Sequence, residues 1–287
     1  MIIDVHTHIF PPDIRRNREN FFDGEPAFSM IYRDKKARMA GAGGLIEAMD
    51  EDGVDLAVTF GFPWVDEEKA KLHNDYILEA QNRFPGRLIG LASFNPLANW
   101  AEREAERALK AGLLGFGELA IYERGFDETA RDKLAGLGNL CKAKGLPLLL
   151  HVNEPIGHQY PGKAPMTVKM IYDLVQALSG VKLILAHWGG GLFFYALLKR
   201  EVEPALADVY FDTAASPFLY KPQVYDLAAR IIGPEKIFFG SDFPLIRPGR
   251  YFKEMEASGL DPDTERLVKG ESAARILPGI STSVGLP

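Results

Sequence analysis

In Lys182-Leu183-Ile184-Leu185-Ala186-His187 an apolar run of four residues follows a lysine and is closed by a histidine. A strand that alternates apolar and polar residues keeps one face in water, whereas one that is apolar at every step is buried on both faces, as in a parallel sheet covered by helices. Working outward, the same pattern recurs. Upstream, Pro147-Leu148-Leu149-Leu150-His151 repeats it, and downstream Ile237-Phe238-Phe239-Gly240-Ser241-Asp242 ends an apolar run on an acid. Short runs rich in β-branched and aromatic residues predict eight strands, over 1–5, 56–60, 88–93, 112–116, 147–152, 182–186, 209–212 and 236–240.

Helical spacing fills the intervals. Leu72, Tyr76, Ile77, Ala80 and Phe84 share one face of a helix predicted over 67–84. Further helices are expected over 100–111, 129–144 (closed by Gly145), 167–178, 222–232 and 262–269. Strands alternating with helices predict an α/β fold, a (β/α)8 TIM barrel, with a doubly wound open sheet as the alternative. No Pro/Gly/Ser-rich linker divides the chain, so one domain over 1–280 is expected, followed by a loose tail over 281–287. The rhythm breaks at 9–42, a long loop after the first strand that carries Phe21, Phe22, Phe28, Tyr32, Arg33 and Arg38. Loops of this length serve as lids or binding loops. The alternative use is a surface for a homodimer.

Composition excludes several classes. With 47% apolar and 25% charged residues among 287, the chain is neither disordered nor fibrous. Its one cysteine, Cys141, has no intrachain partner for a disulfide, which fits a reducing cytoplasm. A net charge of −6 without a long basic tract argues against nucleic acid as the main partner. No apolar run approaches membrane-spanning length, and Met1–Val5 begins no signal-peptide pattern. A small-molecule partner is expected.

The chemistry gathers at strand ends. In Asp4-Val5-His6-Thr7-His8 the two histidines lie two apart, so on an extended strand they share a face. His151 lies at the end of another predicted strand, and His187 and Asp242 each follow one, so four of the six histidines and one carboxylate meet at the C-terminal rim, where barrel active sites form. Such a donor set suits a divalent metal, Zn²⁺ first, with Mn²⁺ or Fe²⁺ as alternatives. A structural role, as satisfied core histidines, is the competing reading. Glu118, in Gly115-Phe116-Gly117-Glu118-Leu119, follows the fourth predicted strand. Its segment also matches a dinucleotide fingerprint, but Ile121-Tyr122-Glu123-Arg124-Gly125 does not open a helix, which argues against a nucleotide. Substrate contacts are assigned to Trp188, Glu154, His158 and Arg247, with Tyr160 and Arg250 beside them. Exposed solvation is the competing reading for the arginines. His73 falls on the second helix and reads as structural.

The histidine pair, His151, His187 and Asp242, with Asn74-Asp75-Tyr76, Arg83-Phe84-Pro85-Gly86-Arg87-Leu88, Phe94-Asn95-Pro96, His187-Trp188-Gly189-Gly190-Gly191 and Gly240-Ser241-Asp242-Phe243-Pro244, resembles the amidohydrolase superfamily. Within it the chain is similar to the branch containing aminocarboxymuconate-semialdehyde decarboxylase. The resemblance implies that His6, His8, Asp242 and His151 bind metal. It gives Asp242 the proton transfers and His187 a hydrogen bond to the carbonyl or the attacking water. Glu118 either bridges two metals or orients a ligand histidine, so one or two ions per chain are implied. The first expectation is a metal-dependent hydrolase of a lactone, amide or ester. The alternative is a nonoxidative decarboxylase of a small unsaturated or aromatic acid. A barrel that binds its ligand without turnover is the third reading.

Overall fold

The computed structural model describes residues 1–280, so the expected tail over 281–287 lies outside the described residues. Eight strands appear: β1 Ile3–His8, β2 Leu56–Phe60, β3 Leu88–Gly90, β4 Phe116–Leu119, β5 Pro147–Leu150, β6 Lys182–Leu185, β7 Val209–Asp212 and β8 Ile237–Phe238. Every neighbouring pair within the sheets is parallel, in the orders β1-β2-β3 and β4-β5-β6-β7-β8. Backbone hydrogen bonds join the two sheets at both seams. Gly117 N donates to Ala92 O at 3.0 Å on one side, and Val5 N donates to Phe239 O at 2.8 Å on the other. The result is the expected (β/α)8 barrel.

Strands such as β5 and β6 read as apolar at nearly every step because both faces are covered. Ile3, Val5, Val58, Leu149, Ile184 and Phe238 belong to one buried cluster that fills the barrel. Leu148, Leu150, Leu183, Leu185 and Phe211 belong to a second, between the strands and the surrounding helices. Helix ends follow local chemistry. Asp66 accepts from Lys69 N ahead of Glu67–Arg83, and Asp127 accepts from Ala130 N ahead of Glu128–Lys144. Each such cap is worth about 1 kcal/mol. Gly145 closes the latter helix in the left-handed conformation, as its sequence position suggests.

Several boundaries differ from expectation: β1 runs Ile3–His8 rather than 1–5, and β3 runs Leu88–Gly90 rather than 88–93. The fourth strand was expected over 112–116 but runs Phe116–Leu119. Gly112, at φ 117°, is the C-cap of the helix Ala101–Ala111, so the chain is still turning where apolar content alone suggested a strand. The segment after β1 is not one open loop. It holds the helices Pro12–Arg16 and Pro26–Tyr32, each with proline in its first turn, before the helix Ala42–Asp52. Among the described residues no helix is long and apolar enough to cross a membrane.

Candidate metal centre

Two irregularities aim the polar side chains at the barrel mouth. On β1, Asp4 pairs with Ala57 but Thr7 pairs with Thr59, three steps against two. Strict alternation would put His6 and His8 on the face opposite Ile3 and Val5. The extra residue reverses the phase, so the strand buries Ile3 and Val5 below and presents both histidines above. Asp4 braces the bulge, accepting from His6 N at 3.1 Å and Ser241 N at 2.9 Å. On β4, Phe116 pairs with Leu148 and Leu119 with Leu150, again three steps against two. Gly117 and Glu118 thus oppose the inward Leu149. A Cβ on Gly117 would lie 2.7 Å from Leu149 Cβ, which is why glycine stands there. Glu118 is an internal residue of the fourth strand, not one just beyond it.

The remaining ligating groups come from strand-end turns. His187 and Asp242 adopt φ of 54° and 58°, a left-handed conformation that costs a non-glycine residue about 1–3 kcal/mol. Asp242 N donates to His6 O at 2.9 Å, and His187 N donates to Asp212 Oδ1 at 2.9 Å. These bonds hold the strained turns in place.

The side chains converge closely. His6 Nε2 lies 3.8 Å from both Glu118 Oε1 and Asp242 Oδ1. His8 Nε2 lies 3.7 Å from Glu118 Oε2 and 3.5 Å from Asp242 Oδ1. His187 Nε2 lies 3.7 Å from Glu118 Oε1. Outer partners turn these nitrogens inward: Asp212 Oδ2 holds His6 Nδ1 at 2.9 Å, Gly61 O holds His8 Nδ1 at 3.2 Å, and Ala214 O holds His187 Nδ1 at 2.9 Å. His6 Nε2 is buried without a hydrogen-bond partner. A buried, unpaired imidazole nitrogen facing two carboxylates is a poor arrangement for a metal-free core and a good one for a cation. The triads His6/His8/Glu118, His6/His187/Asp242 and Glu118/His151/His187 each bring ligand atoms within 4.8 Å of one another.

The electrostatics agree with that fit. Burial pushes the Glu118 carboxyl up, but the charges of His151 and His6 and hydrogen bonds from His151 and His187 outweigh it and hold the group well below its usual range. Burial likewise raises Asp242, and the His8 hydrogen bond with the charges of His6, His187 and His8 brings it down to about 2. Burial would lower His6 and His187. The carboxylates around them raise His6 to about 10, with Asp212 foremost, and His187 to about 9, with the Glu118 hydrogen bond foremost. The anionic cluster thus draws positive charge, which protons or a divalent cation can supply.

His151 sits in the same cluster but is fully engaged: Nδ1 meets Glu118 Oε1 at 2.9 Å and Nε2 meets Gly162 O at 3.1 Å. Other expected contacts lie elsewhere. Trp188 is fully buried, donates through Nε1 to Ser216 Oγ and packs edge-on against Tyr225, so it belongs to the core. Arg247 pairs with Glu51 and Asp52 at the end of the helix Ala42–Asp52. Glu154 accepts from Tyr160 Oη and from the buried Lys163, which also donates to Ile156 O and His158 O. His158 is exposed beside Tyr160. His73 is buried between Trp64 Nε1 and Ile9 O, a structural role as read.

Asp212 was missed. Its signal was available, since it is an acid closing the run Val209-Tyr210-Phe211-Asp212, as Asp242 does after β8. Tyr32 and Tyr122 were also missed as candidates. The first lay in an apparent loop, and the second in a segment weighed only for nucleotides.

The family model described as Amidohydrolase matches residues 3–279. No curated protein matches the sequence. Among solved structures, 5-carboxyvanillate decarboxylase from Sphingomonas paucimobilis superposes with a TM-score of 0.73 at 19% identity, over 96% of this chain and 98% of that one. 2,6-Dihydroxybenzoate decarboxylase from Rhizobium gives 0.69 at 16%, over 96% and 98%. Dihydroxybenzoic acid decarboxylase from Polaromonas sp. JS666, with bound manganese and 2-nitroresorcinol, gives 0.68 at 16%, over 96% of each.

Proposed function

This chain belongs to the amidohydrolase family, and from that membership we propose that it is a metal-dependent carboxy-lyase of small aromatic acids. The observation that carries the reading is the aromatic wall beside the cluster. Tyr122 packs on His151 with ring centroids 5.2 Å apart, and Phe62 lies nearly parallel to Tyr122 at an interplanar angle of 12°. Such a wall suits a planar ring. The similarity to decarboxylases of aromatic acids along nearly the whole chain supports the same choice.

We assign the metal to His6, His8, Asp242 and Glu118, with His151 bonded to Glu118 beside them and His187 Nε2 left to move a proton. Zinc was the first expectation, and the manganese in a relative makes that ion an equal candidate. A divalent cation held there supplies positive charge for the substrate carboxylate and for the negative charge that develops as CO₂ leaves. The chain's own residues do the rest. Asp212 fixes His6 with its proton on Nδ1, leaving Nε2 free to ligate. His187 keeps its Nδ1 proton on Ala214 O, and its Nε2 delivers a proton to the ring carbon. The C–C bond breaks, its electron pair stays on the ring carbon, and that pair takes the proton.

Hydrolysis of a lactone, amide or ester remains the second reading, and Glu118 favours it. Its Oε1 faces His6 and His187 while its Oε2 faces His8, a placement that suits a carboxylate between two ions. Release of CO₂ from hydroxybenzoates and muconate-like acids, lost in the doubly substituted His6→Ala/His8→Ala protein, is expected. Cleavage of lactones or amides with no CO₂ from any acid overturns the carboxy-lyase reading.

A further inference from the structure

The helix Pro26–Tyr32 ends on a tyrosine that packs into the wall beside the metal cluster. Tyr32 lies against Phe10, Phe28 and Phe62, with ring centroids 5.2, 5.0 and 6.0 Å apart. Tyr122 reaches the same wall from the segment after β4, between Phe62 and His151. Both rings are half-buried, held by apolar neighbours at their faces. Among the described residues neither hydroxyl has a hydrogen-bond partner, and neither is sealed from solvent. Two phenols held by packing, with their polar ends left unpaired, have donors to offer to something that enters.

Burial raises the Tyr32 hydroxyl, and Asp242 and Glu118 raise it further. Burial, Glu118, Tyr32 and Asp242 do the same for Tyr122. A phenol is protonated below about pH 10, so each free hydroxyl offers a donor. Of the nearby cations, Lys163 is paired with Glu154, while Arg18 is bonded to carbonyls and keeps its charge. Arg18 donates to the carbonyls of Tyr32, Asp34 and Ala37, and Lys163 donates to Glu154 and two loop carbonyls. The pair suits a neutral acceptor oxygen better than an additional anion, which would face the charges of Glu118 and Asp242.

We propose that Tyr32 and Tyr122 are specificity-determining residues, whose hydroxyls donate to an uncharged oxygen substituent on the aromatic substrate. The inference rests on the carboxy-lyase reading and adds to it the part of the ring that the protein reads. An aromatic acid carrying a hydroxyl, methoxy or carbonyl oxygen is preferred over the same acid without it.

The test uses two chromophoric ligands that differ by one hydroxyl, 2-nitroresorcinol and 2-nitrophenol. Dissociation constants are measured by absorbance titration on manganese-loaded native protein, Tyr32→Phe and Tyr122→Phe. Phenylalanine preserves the ring packing. A neutral hydrogen bond contributes about 1 kcal/mol, a factor of about five. The native protein is expected to prefer 2-nitroresorcinol. Each substitution is expected to cut that preference about fivefold while leaving 2-nitrophenol binding unchanged. An unchanged preference in either variant overturns the assignment of that tyrosine while the carboxy-lyase reading stands. Failure of both ligands to bind the loaded native protein overturns that reading and the inference with it.

Discussion

Asp212→Asn keeps the shape of the carboxylate and changes the chemistry of one atom. In the native chain Asp212 Oδ1 accepts from His187 N at 2.9 Å and from Ala214 N at 3.0 Å, while Oδ2 faces His6 Nδ1 at 2.9 Å. Two backbone donors demand an acceptor, so the amide oxygen of asparagine must take the Oδ1 position. Its NH₂ group then falls on His6 Nδ1. The imidazole can meet it only with a lone pair, so its proton moves to Nε2, the atom aimed between Glu118 and Asp242. A protonated Nε2 cannot ligate. Altering an outer partner of a metal-bound histidine costs roughly 10–100-fold in affinity, and inverting the tautomer places this change near the upper end. That is about 2.8 kcal/mol at 1.4 kcal/mol per decade. Competition with a chelating indicator for Mn²⁺ and Zn²⁺ reads the loss, and the melting temperature of the metal-free variant checks the fold. A folded variant whose affinity stays within about threefold of native refutes the reasoning.

Two further outcomes follow from groups away from the cluster. His73 is neutral in the folded chain, because Trp64 Nε1 donates to its Nδ1 and its Nε2 donates to Ile9 O. Burial lowers it from 6.5 to about 4, so its contribution to stability is present above pH 6.5 and is lost as pH falls towards 4. The loss is about 3 kcal/mol, and His73→Gln, which can keep both bonds without titrating, is expected to flatten the urea-melt profile between those pH values; matching profiles would refute this. Arg247→Ala removes half-exposed ion pairs with Glu51 and Asp52, so kcat/KM should hold and stability should fall by about 1 kcal/mol or less. A tenfold drop in kcat/KM would return Arg247 to the site.

Much of this was legible because it is local. An apolar run buried on both faces announces itself in Leu148-Leu149-Leu150 and Ile237-Phe238-Phe239, and a polar residue closing such a run falls at the rim. His6, His8, His187 and Asp242 were found that way, and Asp212 could have been. Arg247 and Trp188 were not decidable in the same manner. Arg247 is held by Glu51 and Asp52, nearly two hundred residues away in sequence, and Trp188 is buried against Tyr225 and Ser216. Neither neighbour is visible along the chain.

Local pattern was enough for the barrel, its order of strands, and most of the polar residues that crown it. Tertiary structure decided where those residues point. Strand alternation has a period of two, so one extra residue on β1 reverses the facing of every side chain beyond it. That residue is extra only relative to β2, and the one on β4 only relative to β5. Register is a relation between two strands, and it exists only once they have paired.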